Sequence, residues 1–418
     1  MKERVLVIED SRLMSKVLGH YIRSSLGLEP VMTDTYAAAK TAVEASEQLS
    51  TEQPFLAAIA DLNLPDAPNG ESVDLVTAHK IPTIVLTSTY SEEKRSEILA
   101  KGVVDYVTKE NRASYEYVMR LIHRLDANRF VEALIVDDGK VDRKFIRRLL
   151  ELKNFVVHEA EDGVAALEML AQHPKIKLVI SDYNMPRMDG FALSAQLRRD
   201  YDMEQLAIIG LSSADCPSVS ARFLKCGAND FLVKPFSHEE FFIRIMQNMD
   251  AQEYLANSIY RAQHDDLTGL YTWRYFNEHL DKVLGAKETV TGCVCVVELD
   301  DARRIKEMHG YEVYDLILKA VADEVRELDP NGLAARLGGT EFIVFLPETD
   351  MSSAEQLTQT LIDKVFNQPV EHESLEIEYT VSIGVAEVAG GDVKAIIHDA
   401  DQALHQAQDA GGNQVRVF

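Results

Sequence analysis

The sequence predicts an α/β chain: two doubly wound domains in tandem, followed by a domain of α+β type. Three observations predict it. The first 250 residues contain an internal repeat. Within each copy, short runs rich in Val and Ile alternate with amphipathic stretches. After a long segment free of Pro and Gly, the pattern changes to helices mixed with alternating strands.

The repeat is read at four places. Val5-Leu6-Val7-Ile8-Glu9-Asp10 returns as Ala133-Leu134-Ile135-Val136-Asp137-Asp138, and Ala58-Ile59-Ala60-Asp61-Leu62-Asn63-Leu64-Pro65 as Val179-Ile180-Ser181-Asp182-Tyr183-Asn184-Met185-Pro186. Val85-Leu86-Thr87-Ser88 returns as Gly210-Leu211-Ser212-Ser213, and Asp105-Tyr106-Val107-Thr108-Lys109 as Asp230-Phe231-Leu232-Val233-Lys234. The step from hydroxyl to lysine is 22 residues in both copies. Apolar runs of four to six residues suit strands buried on both faces, with the amphipathic stretches as covering helices. In such sheets ligands bind beyond the carboxyl ends of the strands, where every polar residue just named falls.

Ser237 to about Gln263 reads as one helix, the last of the second repeat continuing outward. Phe241, Ile245, Met249, Ala256 and Ile259 recur on it at mostly three- or four-residue steps, an apolar stripe longer than one domain needs. Strands are expected at Val294 to Leu299, Phe342 to Leu346 and Tyr379 to Val385. The expected domains are 1–127, 128–250 and 265–418, with 251–264 as a helical linker.

Composition excludes several classes. A net charge of −25 argues against nucleic-acid binding and against docking on anionic membranes. No apolar stretch approaches a membrane span, and the run beginning at Val5 leaves no room for a signal peptide. Cys216, Cys226, Cys293 and Cys295 form no CxxC pair, and no Cys/His cluster has zinc spacing, so buried cysteines in a reducing cytoplasm are expected.

The repeated constellation has a chemical logic. A carboxylate that accepts a phosphoryl group needs a cation to offset repulsion between anions. Glu9 with Asp10, or Asp137 with Asp138, can hold Mg²⁺ beside the nucleophile, Asp61 or Asp182. A hydroxyl (Thr87 or Ser212) and an ammonium (Lys109 or Lys234) can then hold phosphoryl oxygens.

These residues resemble the receiver domain of response regulators, a flavodoxin-like fold. The second copy is the nearer match, through Asp182-Tyr183-Asn184-Met185-Pro186-Arg187-Met188-Asp189-Gly190 and Lys234-Pro235-Phe236. The resemblance implies that Asn184 and Asn63 each offer a backbone carbonyl to the metal, and that Phe231 and Tyr106 are switch aromatics. The first copy departs in two ways: Glu110 follows Lys109 in place of Pro, and Asp66-Ala67-Pro68-Asn69-Gly70 lengthens the loop after Asp61.

Residues 265–418 resemble the GGDEF domain of diguanylate cyclases, a nucleotidyl-cyclase-like fold. The resemblance rests on Asp266-Leu267-Thr268-Gly269-Leu270, Arg336-Leu337-Gly338-Gly339-Thr340-Glu341-Phe342, Val381-Ser382-Ile383-Gly384-Val385 and Ala400-Asp401-Gln402-Ala403-Leu404. It implies a nucleotide site at Gly338, Gly339 and Glu341, with Asp315 as a vestigial guanine contact and Glu298 as a vestigial metal ligand. Six positions depart from the family pattern, one of them Glu298 itself, longer by one methylene than the family's Asp. Thr340 replaces an acidic metal ligand, Lys306 replaces the guanine-reading Asn, and Gln408 and Gly412 replace a Lys and an Arg on the phosphates. Tyr314 also replaces the Gly before Asp315. Arg326-Glu327-Leu328-Asp329 matches the family's inhibitory RxxD, but eight residues part Asp329 from Gly338, so a solvated charge pair is expected.

The function expected is that of a cytoplasmic response regulator, phosphorylated on a receiver Asp by a sensor histidine kinase or phosphotransfer protein. Its GGDEF-type domain would be catalytically impaired and would act in protein interaction or homodimerisation. Two alternatives stay open: a working cyclase making cyclic di-GMP from two GTP, and a non-catalytic sensor of GTP or cyclic di-GMP.

Overall fold

A computed structural model describes residues 3–47, 55–88, 91–213, 217–286, 291–328, 332–373, 375–388 and 393–418. They divide into two compact units, Met1–Tyr254 and Leu255–Phe418.

The first unit holds both repeats. In the first repeat the order is β1 (Arg4–Ile8), α1 (Arg12–Leu26), β2 (Glu29–Thr33), α2 (Tyr36–Glu47), β3 (Ala57–Ala60), α3 (Glu71–Ala78), β4 (Thr83–Thr87), α4 (Glu92–Ala100), β5 (Asp105–Thr108) and α5 (Arg112–Ala127). In the second it is β6 (Glu132–Val136), α6 (Lys140–Leu152), β7 (Val156–Ala160), α7 (Gly163–Gln172), β8 (Ile176–Asp182), α8 (Gly190–Asp200), β9 (Ala207–Ser212), α9 (Pro217–Lys225), β10 (Asp230–Val233) and α10 (His238–Gln263).

Both sheets are parallel, with orders β2-β1-β3-β4-β5 and β10-β9-β8-β6-β7, which are one flavodoxin-like topology. Side-chain alternation explains how one short run serves two cores. Val5 and Val7 of β1 pack with Leu18, Ile22, Val118 and Ile122 of α1 and α5. Leu6 and Ile8 pack on the other face with Ala39, Val43, Val73 and Ile98 of α2, α3 and α4. The second sheet repeats this, with α6 and α10 on one face and α7, α8 and α9 on the other.

Local chemistry sets the helix ends. Ser11 Oγ accepts from Met14 N, and Gly27 in the left-handed region (φ 67°) closes α1 onto the Ile22 carbonyl. The lengthened loop after Asp61 is used structurally: the Asp66 carboxylate accepts from Tyr36 N at 2.9 Å and Ala37 N at 3.1 Å, capping α2.

Helix α10 serves both repeats. Phe241, Phe242, Ile245 and Met249 enter the core of the second repeat, whereas Met246 enters that of the first. Lys153 Nζ donates to the Val104 carbonyl at 2.8 Å and lies 4.3 Å from the Phe242 ring centroid. Asn154 donates to the Leu125 carbonyl, and Arg124 pairs with Asp250 and Glu253. Of the predicted stripe, Phe241, Ile245 and Met249 are buried, and Ala256 and Ile259 are exposed.

The second unit contains β11 (Tyr271–Thr272), α11 (Trp273–Ala286), β12 (Gly292–Leu299), α12 (Ala302–Leu328), β13 (Leu333–Gly338), β14 (Glu341–Pro347), α13 (Met351–Asn367), β15 (Val370–His372), β16 (Leu375–Ile377), β17 (Val381–Glu387), α14 (Val393–Asp409) and β18 (Val415–Val417). Its main sheet runs β11-β13-β14-β12-β17-β18, with the four central strands antiparallel. Helix α12 is broken at Gly310, whose φ of 82° is open to Gly at no steric cost. Cys293 and Cys295 are buried on β12, Cys226 is half-buried, and Cys216 lies outside the described residues. Among the described residues no helix is long and apolar enough to cross a membrane.

Candidate functional site

The sheet of the first repeat brings its predicted residues together. Glu9 and Asp10 follow β1, Asp61 follows β3, Thr87 ends β4, and Lys109 follows β5. One carboxylate oxygen from each of Glu9, Asp10 and Asp61 lies within 4.8 Å of the others, which suits a hard, oxygen-bound cation. Lys109 Nζ donates to Asp61 Oδ2 at 2.6 Å and pairs with Glu9 Oε2 at 2.7 Å. Glu9 is almost wholly buried, which raises its pKa; the bonds from Lys109 only partly offset this. Burial opposes the charge on Lys109, but its bonds to Asp61 and Glu9 outweigh that and raise its pKa. Asn63 donates its N–H to Asp61 Oδ1 at 3.3 Å, and Thr87 is fully buried beside the site.

The second repeat is built alike with one addition. Lys234 Nζ reaches Asp137 Oδ2 at 2.7 Å and Asp182 Oδ1 at 2.9 Å, and also Asp142 Oδ2 of α6 at 2.9 Å. These bonds raise the Lys234 pKa against the cost of burial, while burial raises that of Asp137. Asp138 is exposed, and Asp137, Asp138 and Asp182 do not converge as tightly as the first trio. Asn184 N donates to Asp182 Oδ2 at 2.9 Å, and Ser212 is fully buried. Gly190 follows Asp182 in space: a Cβ there would lie 2.4 Å from the Asp182 carbonyl oxygen, so only Gly fits. Phe231 and Tyr106 are both buried. Asp142 was not expected; in the first turn of α6, it carries no repeat partner to mark it.

In the C-terminal unit, Glu298 faces Glu341 across the β12–β14 ladder. Thr340 Oγ1 donates to Glu298 Oε1 at 3.1 Å, and Gln408 Nε2 donates to Glu298 Oε2 at 2.6 Å. Both carboxylate oxygens are therefore held by neutral donors from two of the departing positions. Thr340 brings no second carboxylate to Glu298, so one carboxylate stands where the resemblance implies two. Burial and the nearby Glu298 and Asp401 charges raise the Glu341 pKa. The Lys306 ammonium lies 4.2 Å from the Tyr314 ring centroid and 5.3 Å from that of Tyr311, next in sequence to half-buried Asp315. Gly338 and Gly339 form the β13–β14 turn with φ 146° and 54°, where Arg336 donates to the Gly339 carbonyl. Gly412 has φ 73°, and a Cβ there would stand 3.2 Å from the Asp300 carboxylate. Arg326 donates to the Thr268 carbonyl at 2.9 Å and to exposed Asp323 at 2.6 Å; the expected pair with Asp329 falls on a residue outside the described ones.

Two family matches follow this geometry. Residues 133–246 match the response regulator receiver domain, and residues 262–414 match the family described as diguanylate cyclase, GGDEF domain. The chain belongs to the response regulators that carry a GGDEF domain. A two-component system response regulator/GGDEF domain protein of solved structure is 41% identical, with a TM-score of 0.55 over 60% of this chain and 100% of that one. Response regulator PleD of Caulobacter vibrioides is 26% identical over 467 residues, covering 99% of each chain. Response regulator MprA of Mycobacterium ulcerans is 41% identical over 115 residues, 28% of this chain and 48% of its own.

Proposed function

We propose that the chain is a phosphorelay response regulator with two phosphoacceptors, Asp182 and Asp61, whose GGDEF domain has lost cyclase activity. Receiver-domain membership implies a phosphodonor such as a histidine kinase. An Asp carboxylate oxygen attacks the donor's phosphorus, forming an O–P bond as the P–N bond to the donor's histidine breaks and its imidazole leaves; the Lys109 or Lys234 ammonium, already against that carboxylate, moves onto the incoming phosphoryl oxygens. Mg²⁺ held by Glu9, Asp10 and Asp61, or by Asp137, Asp138 and Asp182, would offset the added negative charge. Carbonyls of Asn63 and Asn184 complete the proposed sets.

The observation that carries the loss of cyclase activity is the pairing of Glu298 with Thr340 and Gln408. A metal there would compete with these two donors and would find one carboxylate where the family pattern has two. Lys306 carries donors only, so it cannot replace an Asn in reading guanine. Incubating the purified protein with GTP and Mg²⁺, with and without beryllofluoride, should yield no cyclic di-GMP; robust product overturns the reading. A working cyclase is favoured by the retained Gly338–Gly339 turn, Glu341 and Asp315, and the same assay separates the two.

The proposed output is pairing of chains. Beyond Gln252, α10 exposes Leu255 and Ile259. Light scattering should show a dimer that beryllofluoride strengthens and Ile259→Asp weakens. A monomer in all three conditions at micromolar concentration removes this part of the proposal.

A further inference from the structure

We propose that Glu132, His158 and His173 form a site for one borderline divalent transition metal, with Zn²⁺ as its natural probe. The three side chains come from separate elements: the first residue of β6, the middle of edge strand β7, and the residue that ends α7. Each offers one ligand atom, and the three atoms lie within 4.8 Å of one another. Glu132 Oε2 is 2.9 Å from His158 Nε2 and 3.5 Å from His173 Nδ1. Ligands about 2.0–2.1 Å from a tetrahedral Zn²⁺ stand roughly 3.3 Å apart, and the two measured separations bracket that value. The imidazoles lie against each other with centroids 4.1 Å apart, so both ring edges can turn to one point.

Two imidazoles and a carboxylate select Zn²⁺ and its neighbours over Mg²⁺, which prefers oxygen alone. Side-chain exposures of 20% for Glu132, 18% for His158 and 37% for His173 leave the site open to an entering ion. Three protein ligands also leave a fourth position for water or for a ligand from a bound partner. Glu132 pairs with Val156 and Ile176 at the starts of their strands, whereas Asp182 ends β8, so this site occupies the opposite end of the sheet from the phosphoacceptor. A bound ion would clamp the edge strand to β6 and to the end of α7. Spacing in the sequence hid the cluster, because only strand pairing brings together residues 26 positions apart.

The test uses the full chain in excess Mg²⁺, which occupies oxygen-only sites, with Zn²⁺ titrated against a chromogenic chelator. One tight Zn²⁺ per chain is expected. His158→Gln and His173→Gln should each weaken it by at least about a hundredfold, more than an outer-sphere contact contributes. Acetyl phosphate labelling of Asp182 in each variant checks that the domain is folded. Independently of any variant, Co²⁺ added to the wild-type protein should give the intense d–d absorption of a four-coordinate site. If both variants bind Zn²⁺ as tightly as wild type, or Co²⁺ gives only its weak aqueous spectrum, the cluster is a hydrogen-bonded Glu–His pair and the proposal fails.

Discussion

Glu9 and Asp61 share one ammonium, Lys109, whereas Glu298 shares two neutral donors, Thr340 and Gln408. All three carboxylates stand at strand ends in pockets that half or fully bury them. The difference lies in what each can give up. A lysine between two carboxylates can transfer its charge to an arriving phosphoryl group without leaving an unpaired cation behind. A carboxylate bonded to a hydroxyl and an amide has no positive partner to lend. The first arrangement is poised for an added anion; the second is a closed polar cluster.

The widest test of this contrast asks whether one acidic residue reopens the closed cluster. Thr340→Asp removes one donor and places a second carboxylate by Glu298, yet Lys306, Gln408 and Gly412 are unchanged. Cyclic di-GMP formation should stay several powers of ten below that of an active cyclase, since each missing contact costs a few kcal/mol of transition-state stabilisation. Measurable turnover by this single variant breaks the comparison.

Phosphoryl labelling examines the open arrangement. With acetyl phosphate and Mg²⁺, intact-mass spectra should show two added groups at saturation, one in Asp182→Asn, and none once Asp61→Asn is added. Asp182 is expected to react faster, and Asp142→Asn should alter its rate, because Asp142 competes for Lys234. Two groups on Asp182→Asn would remove the assignment.

A buried lysine without a carboxylate partner should behave differently from both. Burial pushes the Lys153 ammonium from 10.5 down to about 8. The unfolded chain therefore holds the extra proton between those values, and stability rises with pH across that window. Below about pH 8 the whole penalty is present, at most about 3 kcal/mol. Urea melts of wild type and Lys153→Met at pH 7 and pH 10 should show the variant's advantage shrinking at the higher pH; an unchanged difference contradicts it. The smallest effect is expected at Thr340→Ala, which leaves Glu298 one donor short. Loss of about 1 kcal/mol in the stability of the C-terminal unit is predicted, measurable by the same melts.

The doubly wound sheets were legible because a repeat doubles every signal: strand runs, acidic ends and lysine positions recur in order. Glu9, Asp61, Lys109, Asp137, Asp182 and Lys234 were legible for the same reason. Asp142 was not, since its role depends on which face of α6 meets Lys234. Thr340 and Gln408 read as losses in the sequence; only packing shows that they satisfy Glu298 together. Met246 and Lys153 escaped notice because the contact between the two repeats follows no period within either.

That contact bears on how the chain can be cut for study. Met246 fills a place in the core of the first repeat, and Val104 of the first repeat supplies the carbonyl that receives the Lys153 ammonium. A fragment ending near residue 127 would lack the Met246 side chain, and one beginning there would present Met246 and the Lys153 ammonium to water. The smallest fragment that keeps both repeats whole ends after Met249 and the Asp250 and Glu253 partners of Arg124, close to Tyr254.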